Sequence, residues 1–157
     1  MKIDIFFCNV SASIDFRKFV TLILKLISED SIFNLLPEDT YLSVAFVDNK
    51  KIRELNKVYR NIGKPTDVLS FPFNERTPEN YILGEVIVSQ EIAFDDALKN
   101  KISWREEIAK LIIHGMLHLV NYSHETDEEE KEMNFHELRL LKQLRGTISS
   151  HLKECVN

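Results

Sequence analysis

The sequence predicts a single α+β domain over residues 1–157, with a small mixed β-sheet packed against about five helices. Strand-like segments come early in the chain and helical segments gather late. No repeat, linker or low-complexity tract separates them. The chain has 157 residues, of which 44% are hydrophobic and 29% are charged, and these values suit one domain with a substantial core.

The first part of the chain has the pattern of a strand, a helix and a loop. Apolar residues cluster over residues 2–8, which predicts a strand. Residues 14–29 place their large apolar side chains at helical spacing, on one side of a helix. Pro37 and Asp39 then interrupt the apolar pattern and indicate a loop.

A second strand and a basic helix are predicted next. The stretch YLSVAFVD at residues 41–48 is rich in strand-forming residues. The stretch NKKIRELNKVYR at residues 49–60 has helical spacing, and we expect Ile52, Leu55 and Val58 to face the core.

Two more strands and three helices complete the domain. The strands are predicted at residues 66–73 and 84–89. Pro72 predicts that the first of these lies at a sheet edge, or that Pro72 lies near the end of the strand, because proline cannot donate a ladder hydrogen bond. The helices are predicted at about residues 90–98, 103–121 and 127–145. We expect Gly146 to cap the last helix, because glycine readily adopts the left-handed conformation found there.

The helix predicted at 103–121 carries two histidines in an apolar run. His114 and His118 are four residues apart, so their side chains lie on one helix face, about 6 Å apart. Asn121 stands where this helix is expected to end, and asparagine tolerates the left-handed conformation that turns the chain back. His124 can then reach the same point from the other side. Three imidazoles with a position left for water are the pattern of a catalytic zinc site, so we expect a zincin-like helix with one Zn²⁺ per chain.

Gly115, beside the first histidine, has two interpretations. Glycine inside a helix costs about 1 kcal/mol relative to alanine, so its presence needs a reason. Either the metal or substrate needs the space, or the helix packs closely against a strand. Zinc peptidases of the His-Glu-x-x-His type place their general base at this position, and Gly115 cannot serve as one. His136 and His151 have no comparable companions and are expected at the surface.

The segment HGMLHLVNYSH at residues 114–124 resembles the signature of the YbeY family of bacterial rRNA maturation factors, which are metal-dependent endoribonucleases. The usual family pattern is His-Gly-x-Leu-His-Leu-x-Gly-Tyr-Asp-His. This chain departs from it at Asn121, where the family has glycine, and at Ser123, where it has aspartate. Asparagine keeps the left-handed conformation accessible, whereas serine removes a carboxylate next to the third histidine.

Two further segments are similar to the same family. The block ELNKVYRNIGKPTDVLSFPF covers residues 54–73, and LGEVIVS covers residues 83–89, with Glu85 where aspartate is more usual. The likeness runs in register from about residue 40 to residue 145 and is weak before residue 40.

The resemblance implies a single-domain α+β fold with a three-histidine zinc site in a cleft. It also implies cleavage of single-stranded RNA, with roles in maturing the 3′ end of small-subunit rRNA and in ribosome quality control. The small ribosomal subunit or its associated proteins are the implied partners, and neither DNA nor a membrane is expected as a partner. The important arginine of the family corresponds to Arg60.

The local charge is consistent with an RNA substrate near Arg60. The net charge is −5, so the whole chain has no basic field, but six basic residues and one acid lie between Lys50 and Lys64. The planar fork of Arg60 matches two phosphate oxygens, so Arg60 is a candidate for holding the scissile phosphate. Lys57 and Lys64 either bind the RNA backbone or belong to an ordinary solvated surface.

A metal-assisted mechanism follows from these residues. Zinc held by three imidazoles lowers the pKa of bound water toward about 7 and polarises a phosphoryl oxygen, so His114, His118 and Arg60 are the catalytic candidates. Either water or the ribose 2′-hydroxyl is the nucleophile. The candidates for proton transfer are Asp67, Glu85 and Ser70, although Asp67 also suits a turn.

The acidic run from Glu125 to Glu132 holds six acids and one lysine. It lacks the spacing of a calcium loop. Thr126 followed three residues later by Glu129 forms a capping box, and acidic residues suit the first turn of a helix. We therefore interpret this run as a helix start.

Two other classes of function stay open. One is a metallopeptidase-like hydrolase, because the histidine spacing occurs in a peptidase class. The other is a non-catalytic ribosome-assembly factor with structural zinc. A cytoplasmic location is expected, because MKIDIFFCNV has no cleavage site, no apolar run is long enough to span a membrane, and Cys8 and Cys155 form no close pair.

Overall fold

The computed structural model describes the backbone of residues 1–154 and the side chains of residues 1–149. Cys155 and the side chain of His151 lie outside these residues, so the expectations for them stay predictions. Within the described part of the chain, no helix is both long enough and apolar enough to cross a membrane.

Four strands form one mixed sheet in the order β1-β2-β4-β3. Their bounds are Lys2–Cys8 for β1, Thr40–Val47 for β2, Val68–Arg76 for β3 and Tyr81–Ser89 for β4. β1, β2 and β4 are parallel, whereas β3 is antiparallel to β4 and forms an edge of the sheet. The predicted edge position of the strand that contains Pro72 is therefore confirmed.

Five α-helices accompany the sheet in the described residues, as predicted. They are α1 (Ile14–Ser28), α2 (Asn49–Arg60), α3 (Gln90–Asn100), α4 (Trp104–Leu119) and α5 (Asp127–Glu154). The first four helices each begin after a serine or aspartate whose side chain accepts a hydrogen bond from a first-turn backbone N–H. Such capping satisfies donors that have no partner within the helix and so defines where each helix starts.

The main core lies between one face of the sheet and helices α1, α4 and α5. α4 is the most buried helix, and Ile108, Ile112 and Met116 are fully enclosed. This helix carries His114 and His118 at its C-terminal end. Because α4 is packed along its length, the backbone that presents the two histidines has little freedom to move.

The predicted C-cap at Gly146 was wrong. α5 continues through Gly146 to Glu154, and a Cβ atom at Gly146 would meet nothing within 4 Å. The glycine therefore lies inside an exposed stretch of helix. Residues on either side of it continue the apolar stripe of α5, and Leu144 and Ile148 are buried. The burial of these two side chains stabilises the helix across Gly146, although glycine has a low helix propensity.

The inward orientation predicted for Val58 was also wrong. Ile52 is fully buried, but Val58 is 74% exposed. α2 covers the other face of the sheet, where it packs on a small cluster that includes Val47, Leu69 and Ile87. Val58 lies six residues after Ile52, and at about 100° per residue this turns its side chain about 120° away from the face of Ile52. Tyr59, at the next position, returns to that face and contacts Phe71.

Candidate metal centre

The structure brings His114, His118 and His124 together. The Nε2 atoms of His114 and His118 are 3.0 Å apart. The ring centroid of His124 lies 5.7 Å from that of His114 and 5.1 Å from that of His118. One ligand atom from each of the three residues lies within 4.8 Å of the others. The predicted convergence of the three side chains is therefore confirmed.

A tight turn after α4 delivers the third histidine. Asn121 has a φ of 69°, which is the left-handed conformation predicted from the sequence. The backbone N–H of Asn121 donates to the carbonyl of His118, and that of Tyr122 donates to the carbonyl of Leu117, each at 3.1 Å. These bonds satisfy the last carbonyls of the helix and reverse the chain direction, which places His124 opposite the helix.

Hydrogen bonds at Nδ1 orient the two helical imidazoles. His118 Nδ1 lies 2.9 Å from the carbonyl oxygen of Tyr122, and His114 Nδ1 lies 2.5 Å from Oε1 of Glu137. Since both partners are acceptors, each neutral ring carries its proton on Nδ1 and has an available lone pair on Nε2. The two Nε2 lone pairs then face each other at 3.0 Å, an arrangement that repels unless a cation lies against both. This donor set therefore fits a metal ion.

His118 is favoured in the neutral form that a metal requires. Burial lowers the pKa of His118 below its ordinary value of 6.5, and the neighbouring His114 acts in the same direction. The hydrogen bond to the Tyr122 carbonyl opposes this effect. A lowered pKa keeps the imidazole uncharged at neutral pH, so binding a cation does not first require loss of a proton from it.

Glu137 is a member of the site that we did not predict from the sequence. It lies on α5, one turn from buried Met133 and one turn from buried Leu141. A single carboxylate on an otherwise apolar helix stripe is a signal that could have identified it. Its side chain is 27% exposed and its contact is with His114, so it positions a candidate ligand from a separate helix.

The histidines open into a cleft of about 450 Å³. Its other lining residues are Arg60, Thr66, Asp67, Val68, Ser70 and Pro72. Arg60 therefore lines the same cleft as the three histidines. The side chains of Lys57 and Lys64 are exposed and do not line the cleft.

Of the three candidates for proton transfer, two line the cleft and one does not. Asp67 lines the cleft, but its Oδ1 accepts the backbone N–H of Val68 at 2.8 Å and the Thr66 hydroxyl at 3.3 Å, so it also stabilises the turn. The Ser70 hydroxyl lines the cleft and donates to the carbonyl of Gly115 at 3.2 Å. Glu85 lies outside the cleft lining.

Gly115 reflects close packing. A Cβ atom there would lie 2.5 Å from Cγ1 of Val86 and 3.2 Å from Oγ of Ser70. Val86 is a fully buried residue of β4. Of the two interpretations that the sequence allowed, the structure supports the contact between helix and strand, which sets how close α4 lies to the sheet.

A larger cavity of about 760 Å³ lies elsewhere, beside the N-termini of α1 and α4. Its lining is mostly apolar, with Phe16, Phe94 and Trp104 as its aromatic residues. The three-histidine cluster is the one potential metal-binding group among the described side chains, and it lies in the smaller cleft. The candidate metal site therefore lies in the smaller of these two cavities.

Comparisons with known proteins identify the family of this chain. The model of the family described as Endoribonuclease YbeY matches residues 6–145. The chain belongs to the YbeY family. Endoribonuclease YbeY of Sulfurihydrogenibium sp. (strain YO3AOP1) is 42% identical over 113 residues, which cover 71% of this chain and 74% of that protein. Endoribonuclease YbeY of Aquifex aeolicus (strain VF5) is 50% identical over 97 residues, which cover 62% of this chain and 64% of that protein.

A solved structure supports the fold assignment. The solution structure of TM1509 from Thermotoga maritima has a TM-score of 0.66 and 28% sequence identity to this chain, and the match covers 96% of this chain and 95% of that one. The similarity extends over nearly the whole length. It therefore includes the segment before residue 40, where the YbeY resemblance is weak in sequence.

Ser123, where the YbeY pattern has aspartate, has a local role here. Its hydroxyl donates to Oε2 of Glu129 at 2.6 Å. The same carboxylate accepts the backbone N–H of Thr126 at 3.2 Å, and the backbone N–H of Glu129 donates to the Thr126 hydroxyl at 3.3 Å. The predicted capping box is confirmed, and Ser123 ties the loop that carries His124 to the start of α5.

His136 is less exposed than the sequence suggested. Its ring packs against Tyr122 with centroids 4.9 Å apart, and its Nδ1 is buried without a hydrogen-bond partner. Since the Tyr122 carbonyl accepts the proton of His118, this contact supports the turn behind the candidate metal ligands.

Proposed function

We propose that this chain is a zinc-dependent, single-strand-specific endoribonuclease, formed by one domain over residues 1–157. Its proposed roles are maturation of the small-subunit rRNA 3′ end and ribosome quality control, in the cytoplasm. The observation that carries the proposal is the pair of Nε2 lone pairs of His114 and His118, which face each other at 3.0 Å in a cleft that also holds Arg60. Membership of the YbeY family supports RNA as the substrate.

The three histidines are the proposed metal ligands. One Zn²⁺ held by His114, His118 and His124 would supply Lewis acidity toward a phosphoryl oxygen and toward water. Imidazole also suits nickel, copper and iron, but three imidazoles with an open position are most typical of catalytic zinc. Glu137 and the Tyr122 carbonyl keep the Nε2 atoms of the two helical ligands directed at the ion.

Arg60 is the proposed phosphate-binding residue. It lines the same cleft as the histidines, and its guanidinium can donate two parallel hydrogen bonds to a phosphodiester. Lys57 and Lys64 are exposed outside the cleft, so we propose that they contact flanking phosphates, where positive charge strengthens binding without contacting the scissile bond.

Asp67 and Ser70 are the better-placed candidates for proton transfer, because both line the cleft and Glu85 does not. The nucleophile can be identified from the products. Attack by the ribose 2′-hydroxyl leaves a 2′,3′-cyclic phosphate. A 2′-deoxy sugar at the scissile position removes this nucleophile and therefore abolishes cleavage. Attack by water leaves no cyclic phosphate and tolerates that substitution.

Two alternative functions are less well supported. A metallopeptidase of the His-Glu-x-x-His type requires a general base where this chain has Gly115, which packs against Val86. A structural zinc site is usually closed by four protein ligands. Within the described side chains, the candidate ligand group has three members and lies in an open cleft.

The test is cleavage by zinc-loaded protein of a single-stranded RNA, the same RNA in a duplex, and casein. We expect cleavage of the single strand alone. His114→Ala and Arg60→Ala should each lower the rate by about 100-fold or more, since each removes a contact with the metal or the scissile phosphate. Lys18→Ala, an exposed change on α1, is the matched control.

The outcomes separate the three functions. Equal RNA cleavage by the wild type and both variants would indicate a contaminating nuclease and refute the proposal. Casein cleavage that depends on His114 would favour the peptidase. The rRNA role is tested with ribosomal particles that carry an unprocessed small-subunit rRNA 3′ end. Failure to shorten this RNA, with model RNA still cleaved, would refute that role alone.

A further inference from the structure

An exposed aromatic side chain lies next in the chain to Arg60, which lines the cleft. Tyr59 lies on the last turn of α2 and is 65% exposed. Its ring contacts that of Phe71 in β3, with centroids 5.0 Å apart and planes tilted by 59°. Phe71 is partly buried and packs on the small cluster beneath α2. The contact with Phe71 therefore supports the Tyr59 ring on one side, and the rest of the ring is exposed to solvent.

The position of this ring relates it to the scissile phosphate. Arg60 follows Tyr59 directly, and Ser70 and Pro72 flank Phe71 in the edge strand. These three neighbours all line the histidine cleft. Neither ring lines the cleft itself, and Phe71 packs on the face of the sheet under α2. The Tyr59–Phe71 pair is therefore adjacent in the chain to cleft-lining residues and lies across the sheet edge from them.

The charges around Tyr59 favour a nucleic acid over a protein as its partner. Arg53 donates to the carbonyl of Gly63 at 2.9 Å and so stabilises the loop after α2. Lys57, Arg60 and Lys64 are exposed, and none forms an ion pair with an acidic side chain in the described part of the chain. An exposed aromatic face among free cations is the arrangement that proteins use to bind single-stranded nucleic acids.

We infer that Tyr59 stacks against the base of a nucleotide next to the scissile phosphate, and that this contact selects single-stranded RNA. The inference rests on the proposed function, since it places the phosphate at Arg60. A base in a duplex is already paired and stacked on its neighbours, so it cannot turn onto the Tyr59 ring without breaking those contacts. The ring therefore contributes to binding only when the strand is unpaired.

The experiment uses zinc-loaded protein and a short single-stranded RNA that carries one fluorescent 2-aminopurine. Rapid mixing measures the fluorescence decrease when the base stacks, before cleavage proceeds. The variants are Tyr59→Ala, which removes the ring, and Tyr59→Phe, which keeps it. Val58→Ala is the control, because Val58 is the adjacent residue and is 74% exposed.

We expect the wild type, Tyr59→Phe and Val58→Ala to quench the fluorescence and to cleave with similar kcat/KM. Tyr59→Ala should lose the quenching, and its kcat/KM for single-stranded RNA should fall by about tenfold or more. Its zinc content and thermal unfolding should match the wild type, because the side chain is mostly exposed.

Three results would overturn the inference. Quenching by Tyr59→Ala equal to that of the wild type, with RNA still cleaved, would refute the stacking role and leave the nuclease proposal intact. Loss of activity in both Tyr59→Ala and Tyr59→Phe would assign the hydroxyl, rather than the ring face, to function. A concentration-dependent dimer that Tyr59→Ala abolishes, without any quenching, would assign this surface to a second copy of the chain. Quenching without cleavage would instead refute the nuclease proposal and retain the stacking site.

Discussion

Replacing Glu137 with alanine removes the acceptor of the His114 Nδ1 proton, which lies 2.5 Å from Oε1 in the structure. Without this carboxylate, the imidazole can rotate or exchange tautomers, and both changes take the Nε2 lone pair away from the shared ion. The three ligands themselves remain. The perturbation therefore tests whether orientation by a second helix contributes to zinc affinity.

The expected size follows from the contact. Loss of an outer hydrogen bond to a metal-bound histidine lowers metal affinity by about 10- to 100-fold, which is about 1.4–2.7 kcal/mol. Glu137→Gln retains a neutral acceptor in the same place. A neutral hydrogen bond is about half as strong as a charge-assisted one. Glu137→Gln should therefore lose some zinc affinity, but less than Glu137→Ala.

The assay is competition for zinc against a coloured chelator, with metal content measured on the same samples. Glu128→Ala is the control, since Glu128 is an exposed carboxylate in the first turn of the same helix. Zinc affinity of Glu137→Ala equal to that of Glu128→Ala would refute the reasoning. It would show that α4 and its turn orient the ligands without α5.

The remaining predictions concern stability. Gly115→Ala should lower the free energy of unfolding by about 1–3 kcal/mol in urea denaturation, because its Cβ would lie 2.5 Å from Cγ1 of the fully buried Val86. Gly146→Ala should raise it by about 0.5–1 kcal/mol, since the site is helical and its Cβ would meet nothing within 4 Å; a loss would show that this part of α5 is not helical in solution. Two hydrogen bonds from Arg139, at 2.7 and 2.9 Å, hold the pKa of Asp30 below 3.8. The stabilisation by this pair is therefore complete at neutral pH and lost as the pH falls below 3.8, so the stability gap between wild type and Asp30→Asn should close in acid. A gap that stays constant across that range would contradict this assignment.

The sequence by itself determined the elements and the convergence of three histidines that could hold a metal ion. His114, His118 and His124 lie within eleven residues of one another, and helix geometry with one left-handed residue is enough to bring them together. The same reasoning predicted the capping box at Thr126. These features depend on interactions between residues close in the chain, so the local pattern contains nearly all the information needed.

Only the tertiary structure decided which elements meet. Glu137 reaches His114 because α5 packs against α4, and Gly115 is required because Val86 of β4 lies beneath it. Contacts between residues far apart in the chain depend on which faces pair and how far each partner extends. A single sequence records the apolar faces but not the partner that covers them.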